Sequence, residues 1–279
     1  MKLHLPISLV AVLSSCARVT LVDDITFPNV DSKAAVQCIL TPGDSIFVAV
    51  KTVQSINSQS PNKTQNITEA HITLENITTS QKTTIPYTGK SGIYGCSQRN
   101  FPILSGNTYH MMVSVKNLPS LQATCRMPSR AAVIDTIAYG ESYSDGLISK
   151  LRRVALTWLD SSGANERYSY FISSQYLHQG DTLRETSFDN TLITQAGNRF
   201  YYNDDTIDSG TPHTYYLFTT DQNLYAFFTI AQRMEKNLRS NPSDFFGGYQ
   251  GITPTFTNIQ NGYGIFGGYL KTSKTISLL

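Results

Sequence analysis

The stretch NTYHMMVSV, residues 107–115, sets Tyr109, Met111, Val113 and Val115 on one side of an extended chain. A helix, with a period of 3.6, would scatter these side chains around its axis. A strand with one buried face gathers them. The same period of two recurs in short runs from Ala34 onward. AAVQCIL and SIFVAVKTV flank Pro42-Gly43, which reads as strand, turn, strand. HITLEN puts Ile72 and Leu74 on one face; SGIYGCS and SLQATCRMP follow. Many short strands within about a hundred residues fit an immunoglobulin-like β-sandwich over residues 34–128. The second half, 129–279, offers AAVIDTIAYG, RRVALTWLD, RYSYFISS, NRFYYND and HTYYLFTT as further strands. The period then changes. Leu224, Phe227, Phe228, Ala231, Met234 and Leu238 fall at helical spacing, predicting one amphipathic helix near 222–240. Thr220 or Asp221 is positioned to cap it, and Pro242 to end it. The expected fold class is therefore mainly β: a sandwich, then a β-rich second domain with one helix. Charged residues make up only 15% of the chain, with Ser, Thr, Asn, Tyr and Phe in their place. That balance suits sheets and polar loops.

The first residues follow another rule. Lys2 precedes an apolar run from Leu5 to Leu13, and Leu13-Ser14-Ser15-Cys16 comes next. A charged start, a short apolar core and small residues make a secretory signal, residues 1–15. The run is too short to span a bilayer. A cysteine after Leu-Ser-Ser resembles the lipobox of bacterial lipoproteins, in which the thiol is diacylated and the new amine acylated. Cys16 is thus the candidate lipidation site. Acyl chains, at about 0.8 kcal/mol per buried CH2, would hold a body on a membrane it does not cross. Residues 16–33 read as a lipidated leader. Cys38, Cys96 and Cys125 remain, in a compartment that permits a disulfide, and sequence does not choose among the three pairings. No C-x-x-C occurs, which argues against a thiolate zinc site. Net charge is +2 without a basic block, so a nucleic-acid partner is not expected.

Each enzyme-like motif in the chain stands in a context its chemistry does not fit. Gly262, Gly264 and Gly267 fit G-x-G-x-x-G, but no helix or acid follows them, so no dinucleotide cofactor is expected. Their neighbourhood, GIFGGYLK, is echoed by DFFGGYQG at 244–251, and paired glycines in strand-like sequence allow close approach of another chain. Gly43-Asp44-Ser45 is similar to the nucleophile block of GDS-type hydrolases. It lies between two alternating runs, in a hairpin turn, and Asp208 and His213 lack that motif's partner spacing. His71, His110, His178 and His213 show no metal spacing, and Asp204, Asp205 and Asp208 lack a calcium-loop pattern. No catalytic residue, metal or cofactor is assigned. Asn62, Asn66 and Asn76 match N-x-[ST] and are expected to mark polar loops.

Four stretches together carry a family resemblance: the lipobox at Cys16, LTPGDSIFVAV, the pair SGIYGCS and GNTYHMMVSV leading to ATCRMP, and NIQNGYGIFGGYL after the helix. They resemble the outer-membrane lipoproteins of Bacteroidetes that carry the domain of unknown function 4249. The resemblance implies an outer-membrane location, an immunoglobulin-like first domain and a TonB-dependent β-barrel transporter as partner in nutrient uptake. It supplies no catalytic residues. The triplets at Ser45, Thr136, Thr182 and Thr206 are similar to the O-glycosylation sequon of exported Bacteroidetes proteins. The closest acids to Cys16 are Asp23 and Asp24, farther than a surface-export signal of that phylum, which leaves the side of the membrane open.

Overall fold

The computed structural model describes residues 33–53, 65–144, 150–159, 169–178, 181–183, 199–204, 212–230 and 256–276. Cys16, Asn62, Asp205, Thr206, Asp208, the glycine echo at 244–251 and the helical stripe from Ala231 onward lie outside the described residues.

The first half holds β1 (Lys33–Leu40), β2 (Ile46–Val53), β3 (Ala70–Asn76), β4 (Gln81–Ile85), β5 (Tyr87–Lys90), β6 (Ile93–Cys96), β7 (Thr108–Val115) and β8 (Leu121–Arg126). The second half holds β9 (Val133–Ser144), β10 (Lys150–Leu159), β11 (Ser169–His178), β12 (Asp181–Leu183), β13 (Arg199–Asp204) and β14 (His213–Thr220). A short helix, α1 (222–230), precedes β15 (Tyr263–Ile276). The chain is mainly β, as its alternation predicts.

β1 and β2 form the expected hairpin, with Gly43 at φ 80° in the turn, where a side chain would be strained. The strands divide into an eight-stranded sheet, β12-β11-β14-β15-β1-β2-β6-β5, a four-stranded sheet, β4-β3-β7-β8, and a three-stranded sheet, β13-β10-β9. One core fills the space between the four-stranded sheet and the β15-β1-β2-β6 part of the large one. Val36, Cys38, Leu40, Val48 and Val50 meet Ile72, Leu74, Met111, Val113 and Cys125 there. Each fully buried aliphatic side chain contributes about 1.5–3 kcal/mol. A second core joins Ile134 on β9, Val154, Leu156 and Trp158 on β10, and Tyr215 and Leu217 on β14.

The last strand departs from the division at 128/129. β15 pairs in parallel with β1, from Ala35 opposite Tyr263 to Leu40 opposite Gly268. It then pairs antiparallel with β14, from Thr220 opposite Tyr269 to His213 opposite Ile276. Its first half thus completes the first sandwich and its second half the second. The connection between the two is fastened at Ala132. The Ala132 N–H donates to Thr219 Oγ1 at 2.9 Å, and the Ala132 carbonyl accepts from Thr272 Oγ1 at 2.7 Å.

Asn76 also corrects the sequence reading. It is buried at the end of β3, and its side-chain oxygen accepts from the N–H groups of Thr78 and Thr79. That is an Asx turn, in which the amide stands in for a backbone partner, so the position is not an open polar loop. Asn66, by contrast, is exposed.

An amphipathic groove on the outer face of the large sheet

Period-two alternation gives β1, β2, β6 and β15 a second, outer face. Register places Ile265, Gln37, Ala49 and Ile93 in one row across four strands. The next row runs Tyr263, Ala35, Lys51 and Asn66, the last through an isolated bridge to Lys51. Ala35 and Ala49 sit in the middle of the two rows. Their small side chains leave a dip between longer neighbours. The resulting groove has a volume of about 620 Å3.

α1 forms one wall. Asp221 caps this helix: its Oδ1 accepts from Asn223 N–H at 2.8 Å and Leu224 N–H at 3.2 Å. Its Oδ2 accepts from Gly268 N–H, and the Asp221 N–H donates to the Gly268 carbonyl at 3.0 Å. The helix thus starts directly after β14 and is fastened to β15 through Gly268. Gly267 makes that possible, because a Cβ there would stand 2.9 Å from both Leu224 Cβ and Asp221 Oδ2. Leu224 is buried on the sheet, and Phe227, one turn on, lines the groove. The opposite rim is polar. Beyond the end of β6, β2 bonds to other chain segments: Val50 N–H to Gly92 O, and Thr52 N–H to Gln65 O. Gly92 is wedged there, since a Cβ would lie 2.7 Å from the Val50 carbonyl oxygen. Beside it Ser91 holds φ 27°, a conformation rare for a residue with a side chain.

The groove carries positive charge. Lys51 stands exposed in the lining, and Lys33, two positions before Ala35 on the same face, lies 5.3 Å from the centre of the Tyr263 ring. Among the described residues no lining residue is acidic.

Few of the sequence-predicted site residues meet here. Ser45 is exposed in the β1–β2 turn, its N–H bonded to Asp44 Oδ1 at 2.7 Å. Thr136 is exposed on β9, its hydroxyl 2.6 Å from that of Thr157; Thr182 lies on β12. His213 is buried on β14 beside Tyr215, while His71 and His110 lie on β3 and β7 and His178 ends β11. Among the described residues no cluster of three or more His, Cys, Asp or Glu side chains is placed to hold a metal ion.

Cys38, Cys96 and Cys125 are free thiols gathered around the first core. Burial pushes the Cys38 thiol far above its ordinary value, and Cys96 adds to the effect. Burial likewise raises Cys125, helped by the charge of Asp221, whose Oδ2 lies 3.9 Å from its sulfur. Such thiols stay protonated and are poor nucleophiles.

The signature NIQNGYGIFGGYL is a set of fastenings. Asn258 brackets Phe266, its Nδ2 donating to the Phe266 carbonyl at 2.7 Å and its Oδ1 accepting from the Phe266 N–H at 2.9 Å. Ile259 enters the first core. Gln122 Nε2 donates to Gln260 Oε1 at 2.7 Å, and Asn261 Nδ2 donates to the Ser120 carbonyl at 2.9 Å. What the sequence could not reveal is the groove, since its rows join residues more than two hundred positions apart.

Among solved structures, a point mutant of Salmonella alpha-2-macroglobulin is similar over 69% of this chain and 14% of that one, at 10% identity and a TM-score of 0.26. The chain therefore spans only a small part of that protein, and a score this low supports no argument about fold or function. No curated protein matches. The sequence profile of the domain of unknown function DUF4249 matches residues 22–275, so the chain belongs to that family.

Proposed function

We propose that this protein is a lipid-anchored outer-membrane lipoprotein of the Bacteroidetes type, a non-enzymatic accessory of a TonB-dependent β-barrel transporter. In this reading acylated Cys16, carrying palmitate-type chains, holds the body on the membrane. The two sandwiches, the first immunoglobulin-like, present the groove to ligand entering the transporter. The observation that carries the reading is the groove itself. Its volume of about 620 Å3 falls in the range of small-molecule sites, and its floor and one wall belong to regular elements, with Asn66 and Ser91 supplied by the connections between strands. The lipobox sequence supports the anchor, and among the described residues no helix is long and apolar enough to cross a membrane. The lining offers two amides, a hydroxyl and an ammonium around apolar side chains. That set suits binding, not bond breaking.

Copurification from detergent-solubilised membranes tests the partnership: a β-barrel transporter should accompany the wild-type chain. Its absence would favour the second reading, an adhesin-like or structural surface lipoprotein, for which the exposed Phe47, Tyr87 and Leu104 provide contact area. Cys16→Ser should move the protein into the soluble fraction, and unchanged membrane retention would refute the anchor. A third reading, a hydrolase using Ser45, would require esterase activity that Ser45→Ala abolishes.

A further inference from the structure

We infer that the outer-face groove binds an amphipathic small anion: a flat or branched apolar body bearing one carboxylate, sulfate or sulfonate. This deepens the ligand-capture half of the proposed function and does not depend on the transporter.

The apolar body is specified by the floor and the α1 wall. Ala35, Ala49, Ile93 and Ile265 are half-buried or buried, and Phe227 offers a ring above them. Burying apolar ligand surface against these side chains supplies the drive, at about 25 cal/mol per Å2. The anion is specified by one end of the groove. Lys51 is exposed there, and no carboxylate lines the groove among the described residues. Lys33 points from the same sheet face nearby, held over Tyr263. Asn66 and Ser91 complete this end with an amide and a hydroxyl that donate to an oxyanion. Ser91 keeps its unusual φ of 27° at this rim, and backbone held in sparsely populated regions gathers at ligand clamps. Among the described residues the charges here are all of one sign. A cationic ligand would meet Lys51 without a counter-charge, and a large neutral polymer would exceed the groove.

The probe pair is 1-anilinonaphthalene-8-sulfonate and its uncharged counterpart N-phenyl-1-naphthylamine, which share an aromatic body and differ in the sulfonate. Titrated into the full-length Cys16→Ser chain without detergent, the sulfonate should bind at a single site and weaken as salt is raised. Lys51→Met should lower its affinity by roughly ten-fold, the scale of one charge-assisted hydrogen bond, and leave the neutral probe unchanged. Ala49→Trp should abolish binding of both by filling the floor, and Ala35→Leu serves as the second filling variant if the first does not fold. Equal sulfonate affinity in wild type and Lys51→Met would overturn the anion assignment. Probe binding that survives both filling variants would overturn the site. Either result leaves copurification with a transporter untouched, so failure here is distinguishable from failure of the partnership.

Discussion

A Cβ added to Gly264 would stand 1.9 Å from the Val36 carbonyl oxygen and 2.8 Å from its carbon, and Gly264 itself sits at φ 117°. Both facts exclude an L side chain. The obstruction is backbone of β1, which cannot swing aside as a side-chain tip does. Gly264→Ala should therefore cost about 3 kcal/mol or more, combining backbone strain with overpacking. Gly89 is the matched control: its φ is also positive, at 78°, but nothing lies within 4 Å of its added Cβ. Gly89→Ala should cost only about 1 kcal/mol. Chemical denaturation of the two variants measures the difference, and equal losses would show that crowding against β1 is not what Gly264 relieves. At this scale the sequence was partly legible. Clustered glycines in strand-like sequence announce close approach, but they do not say to what. Asn76 shows the opposite failure, because a surface glycosylation pattern and a buried Asx turn are written in the same letters.

Asp221 acts on whole elements, joining α1, β15 and β8. Burial pushes its carboxyl above the ordinary value of 3.8, while the N–H groups of Gly268, Leu224 and Asn223 and the Cys125 thiol pull it back down. The native state therefore holds the Asp221 proton more tightly than the unfolded chain does. Its stabilising contribution is complete below pH 3.8 and is lost as pH rises through the raised native value. Asp221→Asn keeps an oxygen to cap α1 and removes the titration. Urea denaturation at a series of pH values should show wild-type stability falling across the range just above 3.8 relative to the Asn variant. Parallel pH profiles for the two proteins would rule this out. The cap was readable beforehand, since an Asp before a helical stripe is a common start signal. The strands least legible in the sequence bury little or are very short. All four residues of β5 are exposed, β4 buries only Ile85, and β12 is three residues long. Without a buried face there is no alternation to see.

For the whole molecule, β15 makes two cores into one structural unit. The only tryptophan, Trp158, is buried in the second core, while Cys38 and Cys125 are buried in the first. Loss of Trp158 burial and exposure of the two thiols should therefore occur at the same denaturant concentration, as one cooperative transition. Tryptophan fluorescence and thiol labelling read the two cores separately. Midpoints that separate clearly would mean that the shared strand does not couple them. The sequence placed nearly every long strand and divided the chain near residue 128, but it could not show that a strand more than two hundred residues on returns to the first sheet. Pairing between distant segments leaves no local trace in either of them.

That return has a consequence in time. β1 is made more than two hundred residues before its parallel neighbour, so Leu40 must wait for Gly268 before that side of β1 is covered. Until then β1 presents an open row of backbone donors and acceptors, with Cys38 beside it. A chain cut short anywhere before β15 keeps that edge exposed, and exposed edges pair with other chains. Completion of the first sandwich thus reports that synthesis has passed β15. Long-range closure of this kind is slow, which makes the interval before it a period when the unfinished molecule depends on being kept apart from its own copies.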